Sequence, residues 1–122
     1  MYNVIIYEDE KGKSELNDML LDMAQKGVTN KDLRIQFKQI TYYIELLKNN
    51  GTNLGINITK HLEGEIWELR PGDNRVLYFF FQNDTYVLLH MFKKKTKKTP
   101  RAEIDKAHKE AKDYMLRNGG TM

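Results

Sequence analysis

Cysteine is absent from the 122 residues. That excludes a disulfide framework, a thiolate nucleophile and thiolate metal ligands. The three histidines, His61, His90 and His108, stand at no metal-ligand spacing, so neither a metal site nor a cofactor is expected. Prolines number only two, against the composition of a disordered chain. No apolar run approaches the roughly 20 residues of a membrane span. The N-terminal MYNVIIYEDE lacks a basic flank, and its apolar stretch is too short for a signal peptide. The expectation is a soluble, cytoplasmic protein without a membrane partner.

What is present is an ordinary globular composition, 40% hydrophobic and 30% charged. The length suits one domain, 1–122, with one modest core. Net charge is only +3, but it is unevenly placed. Residues 91–122 carry ten basic and four acidic side chains, while the rest of the chain is slightly acidic. A localised anionic partner fits that better than general stickiness.

YNVIIY (residues 2–7) reads as a strand. From Ser14 the period changes, and Leu16, Met19, Leu20 and Met23 form one helical stripe. Ser14 is a cap and Gly27 a stop. Asn30 caps a second helix with the stripe Leu33, Phe37, Ile40, Ile44 and Leu47, ended by NNG. The two helices make a hairpin. EIWELR (65–70), RVLYFFF (75–81) and TYVLLHMF (85–92), joined by the turns PGDN and QND, make an antiparallel meander. HLEG (61–64) adds a possible lead-in strand. After Pro100 comes a last helix, with Ile104, Ala107, Ala111, Tyr114 and Met115 on its apolar side. The order β-α-α-β-β-β-α, helices grouped against a small antiparallel sheet, is α+β.

Arg70 and Arg75 flank the PGDN turn. Their planar forks of donors match two phosphate oxygens; alternatively they are solvated and paired to Asp73 or Glu68. FKKKTKKTP (92–100) follows the last strand and holds five lysines. Such a block repels itself and needs either open water or a polyanion. By strict alternation Tyr78 shares a face with Val76 and Phe80, and His90 with Leu88 and Phe92. His90 is a proton carrier near neutral pH or a satisfied core residue. Phe92 is a stacking surface for a base or core, and Trp67, alternating with Leu69, is core. These residue types permit metal-independent RNA cleavage, in which a 2′-hydroxyl attacks the adjacent phosphate. The enzyme places that hydroxyl in line, neutralises the phosphorane and protonates the leaving oxygen. A basic RNA- or DNA-binding module would present most of the same features.

The stretch IWELRPGDNRVLYFFFQNDTYVLLHMFKKKTKKTPRAEIDKA closely resembles the phage-derived, HigB-like branch of the RelE/HigB toxins of type II toxin–antitoxin systems. That branch reads W-E-L-R, then R-V-L-Y, then L-L-H-x-F-x-K-K-T-x-K-T-P. The resemblance covers about residues 65–107. It implies the RelE-like fold and an mRNA interferase, a metal-independent endoribonuclease that acts on messages in the ribosomal A site and so inhibits translation. It also implies a HigA-like helix-turn-helix antitoxin, forming a heterotetramer with the toxin and linking it to operon DNA. Position by position it points to Arg70, Arg75, Lys94 and Lys95, and beyond them to Tyr78 and His90, as the catalytic set. Lys93, Thr96, Lys97, Lys98 and Phe92 then contact RNA. RelE itself has lysines in the strand where this chain has Ile66 and Glu68, so its acid and base assignments do not transfer. The competing expectation is a non-catalytic phage-derived inhibitor or RNA-binding module on the same fold. A DNA-binding repressor fits least, because no helix-turn-helix is evident.

Overall fold

Two side-chain caps set where the helical hairpin begins. In the computed structural model, which describes residues 1–119, Ser14 Oγ accepts from the Asn17 amide at 3.1 Å. Asn30 Oδ1 does the same for Leu33 at 3.1 Å. Each satisfies an amide that a helix start leaves without a partner. Helix α1 (Glu15–Lys26) and helix α2 (Lys31–Asn50) follow. Gly27 ends α1 with ordinary helical angles, φ −64°, so conformational freedom is not its role. A Cβ there would stand 2.9 Å from the Met23 carbonyl and 3.2 Å from Arg34 Cα; the glycine lets the two helices turn back closely. Gly51 ends α2 at φ 60°, where a side chain is strained.

The strands are β1 (Asn3–Ile6), β2 (Thr59–Glu63), β3 (Ile66–Leu69), β4 (Asn74–Phe81) and β5 (Thr85–Lys93), and the last helix is α3 (Arg101–Arg117). They form one sheet in the order β1-β5-β4-β3-β2. The α+β class and the helix–strand succession are as the sequence indicates, and the lead-in strand is real, as β2. Strands β2 to β5 are the antiparallel meander. β1, however, joins the far edge parallel to β5, so the sheet is mixed.

The hairpin packs on one face and α3 on the other. Leu16, Ile40 and Leu47 are fully buried against Leu69, Val76, Tyr78 and Leu88. Each such side chain contributes about 2 kcal/mol through burial. Met19, read as part of the α1 stripe, lies at its margin and is 36% exposed. On the opposite face, Ala107 and Ala111 seat α3 close to Ile66, Leu77 and Phe79. Ile104 is only half-buried.

Strict alternation fails in β5. Leu77 pairs with His90 but Tyr78 pairs with Leu88, so Leu89 is an extra, bulged residue. Leu88 faces the hairpin, while Leu89 joins the core beneath α3. His90 also faces α3, where its ring nitrogens meet Glu110 at 2.5 Å and Glu103 at 3.0 Å. His90 therefore does not share a face with Leu88.

A second imidazole fastens the middle of α3. His108 lies between Glu65 at 3.0 Å and Glu63 at 2.8 Å. Burial alone would lower its pKa, but the carboxylates of Glu65 and Glu63 outweigh burial and raise it. Glu63 is itself drawn down to about 2, first by Arg101 and then by His108, so it stays ionised at any moderate pH. A raised folded pKa stabilises the protein fully below the unfolded value of about 6.5 and is lost as pH rises through the folded value. The urea midpoint should therefore fall as pH rises above about 6.5. In His108→Gln, measured the same way, that fall should shrink.

Candidate active site

Arg70, Arg75 and the lysine segment meet at one end of the sheet, where β3 and β5 stop and β4 starts. Arg70 directly follows β3, and the 71–73 turn brings the chain back into β4, where Arg75 pairs with Phe92 of β5. The Lys94 amide donates to the Asp73 carbonyl at 2.8 Å, so the lysine segment starts beside the arginine turn. Its far end is fixed too, because Thr99 Oγ1 donates to Glu68 Oε1 at 2.6 Å. Between these anchors Lys94, Lys95, Thr96, Lys97 and Lys98 are exposed. Thr96 Oγ1 turns inward to the Lys98 carbonyl at 2.8 Å, while Lys93 reaches toward Gln36 at 3.4 Å.

Glu68 is the hub of this end. Alternation places it on the same face as Ile66, and it is only 3% exposed. Arg70 Nε lies 3.5 Å from Glu68 Oε2, close enough for charge attraction but without hydrogen-bond geometry, since that buried nitrogen has no hydrogen-bond partner among the described residues. The Arg70 Nη1 donates instead to the Ile56 carbonyl at 2.9 Å. Arg75 is buried, and its Nη1 donates to the carbonyls of Gly72 and Asn74, each at 2.8 Å. Burial lowers the Arg75 pKa, the Glu68 charge opposes that, and neighbouring Arg70 adds to the lowering. Arg70 is paired with the buried Glu68 carboxylate, while Arg75 bonds to backbone carbonyls and feels the charges of Glu68 and Asp73. With the exposed lysines beside them, cations outnumber carboxylates at this end, a balance that suits an anion such as a phosphate.

Tyr78, His90 and Phe92 are placed differently. Tyr78 is fully buried on the hairpin face. Its hydroxyl is 2.6 Å from Thr59 Oγ1, which in turn donates to the Glu68 carbonyl at 2.8 Å. Burial raises its pKa, and the Thr59 bond only partly offsets this, so it gives up no proton near neutral pH. His90 is fully buried beneath α3, held by Glu103 and Glu110. As placed, neither ring can touch a substrate, which departs from the expectation that they carry protons beside the arginines. Phe92 is partly buried against the core under α3, its ring 6.2 Å from that of His90. It walls the Arg75 side rather than offering a free stacking face.

In the sequence Glu68 stands only as a partner for a solvated arginine, and nothing marks Thr99 as its anchor. One signal was available: an acid at an inward strand position must be paired if buried.

A family model described as Phage derived protein Gp49-like matches residues 29–112. The chain belongs to that family. The span shared with other Gp49-like proteins takes in α2, the arginine turn and the lysine segment, and leaves out β1 and α1. No curated protein matches the chain. Among solved structures, a chain of the YoeB-YefM complex from Staphylococcus aureus is similar, with 15% identity and a TM-score of 0.48, covering 79% of this chain and 99% of that one.

In this Gp49-like chain the Thr99 anchor can be removed without touching a charge. Thr99→Val should speed hydrogen exchange at the amides of 94–98 by about tenfold, the worth of one bond to a carboxylate. The strands of the sheet should keep their protection, which mass spectrometry of the same digest would read.

Proposed function

We propose that this chain is the toxin of a type II toxin–antitoxin pair, a metal-independent endoribonuclease that cuts messages on the ribosome and thereby arrests translation. The observation that carries this is the cluster of Arg70, paired to the buried carboxylate of Glu68, and the buried Arg75 beside it, rimmed by exposed lysines. The resemblance of residues 65–107 to RelE/HigB toxins points the same way. In the reaction the 2′-oxygen attacks phosphorus and the bond to the 5′-oxygen breaks, leaving a cyclic phosphate. The phosphorane gains negative charge where Arg70 and Arg75 stand. Lys94 and Lys95, with Lys93, Lys97 and Lys98 around them, take flanking phosphates. A HigA-like helix-turn-helix antitoxin neutralises the toxin in a heterotetramer and is its only link to operon DNA. The site of action is the cytoplasm, and one domain spanning 1–122 suffices for it.

A second reading is favoured by one observation. Tyr78 and His90 are enclosed, so two of the candidate proton carriers do not stand at the arginines. A non-catalytic inhibitor that grips RNA with the same cations would have this feature.

Inducible expression in a bacterium, with primer extension on an abundant message, separates the two. Wild type should produce new 5′ ends within codons. Arg70→Ala and Arg75→Lys, checked for folding by circular dichroism, should lower cleavage by about 100-fold or more, as for loss of one transition-state donor. Growth arrest with intact message would replace the nuclease with the inhibitor.

A further inference from the structure

The hairpin face of the sheet is not covered across its whole width. Helices α1 and α2 lie chiefly against β5 and β1, at one side of the strand order. At the other side, β2 and β3 leave Trp67 half-buried and His61 exposed. The two residues are register partners, and their rings lie 5.2 Å apart, inclined at 56°. With Ile56, Thr59 and Lys60 they line an open groove of about 430 Å³.

Three features give the groove a chemical character. Ile56 is 62% exposed and supplies an apolar wall. Lys60 lines the groove and no lining residue is acidic. Arg70 stands at its rim, tied to the Ile56 carbonyl at 2.9 Å. The His61 ring is also pinned, because Nε2 donates to the Gly64 carbonyl at 2.7 Å. In the neutral ring Nδ1 then offers a lone pair.

We propose that this groove holds a nucleobase of single-stranded RNA, stacked on Trp67 and His61, next to the phosphate bound by Arg70. The inference rests on Arg70 as a phosphate ligand and extends that site around the end of the sheet. Every base has a π-face for an indole or imidazole to meet, and a flanking cation answers the backbone charge. A groove that is apolar, aromatic and positive, without a carboxylate, suits a polyanion bearing flat rings.

Trp67 is the one tryptophan of the chain, so its emission reports on the groove directly. The purified protein is titrated at low salt with a short RNA oligonucleotide and, in parallel, with an abasic ribose-phosphate oligomer of equal length and charge. Binding is followed separately by the anisotropy of a label on each oligomer. The expected result is saturable quenching of Trp67 by the RNA and none by the abasic oligomer. His61→Ala, at an exposed position, should weaken RNA binding by roughly five- to tenfold. Trp67→Leu should do at least as much, while Trp67→Phe keeps a ring and recovers part of the affinity. RNA binding without any change in emission, and with His61→Ala unaffected, would overturn the groove while leaving Arg70 as a phosphate ligand. Absence of RNA binding by anisotropy would overturn both. Emission that shifts with protein concentration alone would put a second copy of the chain in the groove and refute the base.

Discussion

Glu68 is a buried carboxylate paired with Arg70, bonded by the Thr99 hydroxyl and near enough for its charge to act on Arg75, and the cationic end of the molecule is built around it. A buried charge is tolerated only when paired. Here it ties the end of β3 and the turn after it to the segment before α3, with Thr99 lying 31 residues beyond Glu68. Arg70 comes from the end of β3, Arg75 from the start of β4, and Thr99 from the segment before α3. Without Glu68, Arg70 would lose its paired charge and the lysine segment its second anchor.

The two faces of the sheet are held by different physics. The helical hairpin adheres through large apolar side chains, Leu16, Ile40 and Leu47 among them. The α3 helix lies on alanines and is fastened by polar groups: His90 to Glu103 and Glu110, His108 to Glu63 and Glu65, and the Tyr7 hydroxyl to Asp113 at 2.7 Å. Apolar contact is indifferent to pH and forgiving in direction, whereas these bonds are neither. The lysine segment runs into the polar-fastened helix, so its position is set by directional bonds at both ends.

Elements with strong periodicity or explicit punctuation were legible in the sequence. Ser14 and Asn30 mark their helix starts, and the stripe from Leu33 to Leu47 lies where its spacing puts it. The turn at 71–73 was plain from proline followed by glycine. β1 was read as a strand, but its parallel partner was not legible, because nothing local records which distant edge a short strand will join. At the site, Arg70, Arg75 and the lysines were found from charge and chemical type. Glu68 was undervalued because its importance comes from burial, which a six-residue strand shows only through its phase. Trp67 was read as core; it is half-buried because the hairpin covers Leu69 of β3 but leaves Trp67 only partly covered, a matter of helix placement that no local pattern carries.

The bulge at Leu89 acts as a phase shift in the chain. One residue goes unmatched, so every side chain after it is out of step with those before it. That shift turns His90 and Phe92 toward α3 and sets the direction in which the chain leaves β5 for the lysines. Between two chains of this family that differ by a single residue near this point, the lysines would leave the sheet on opposite faces even where the letters match. Comparison of such chains has to count residues from the bulge outward, because identity of sequence on either side does not fix the direction in which a side chain points.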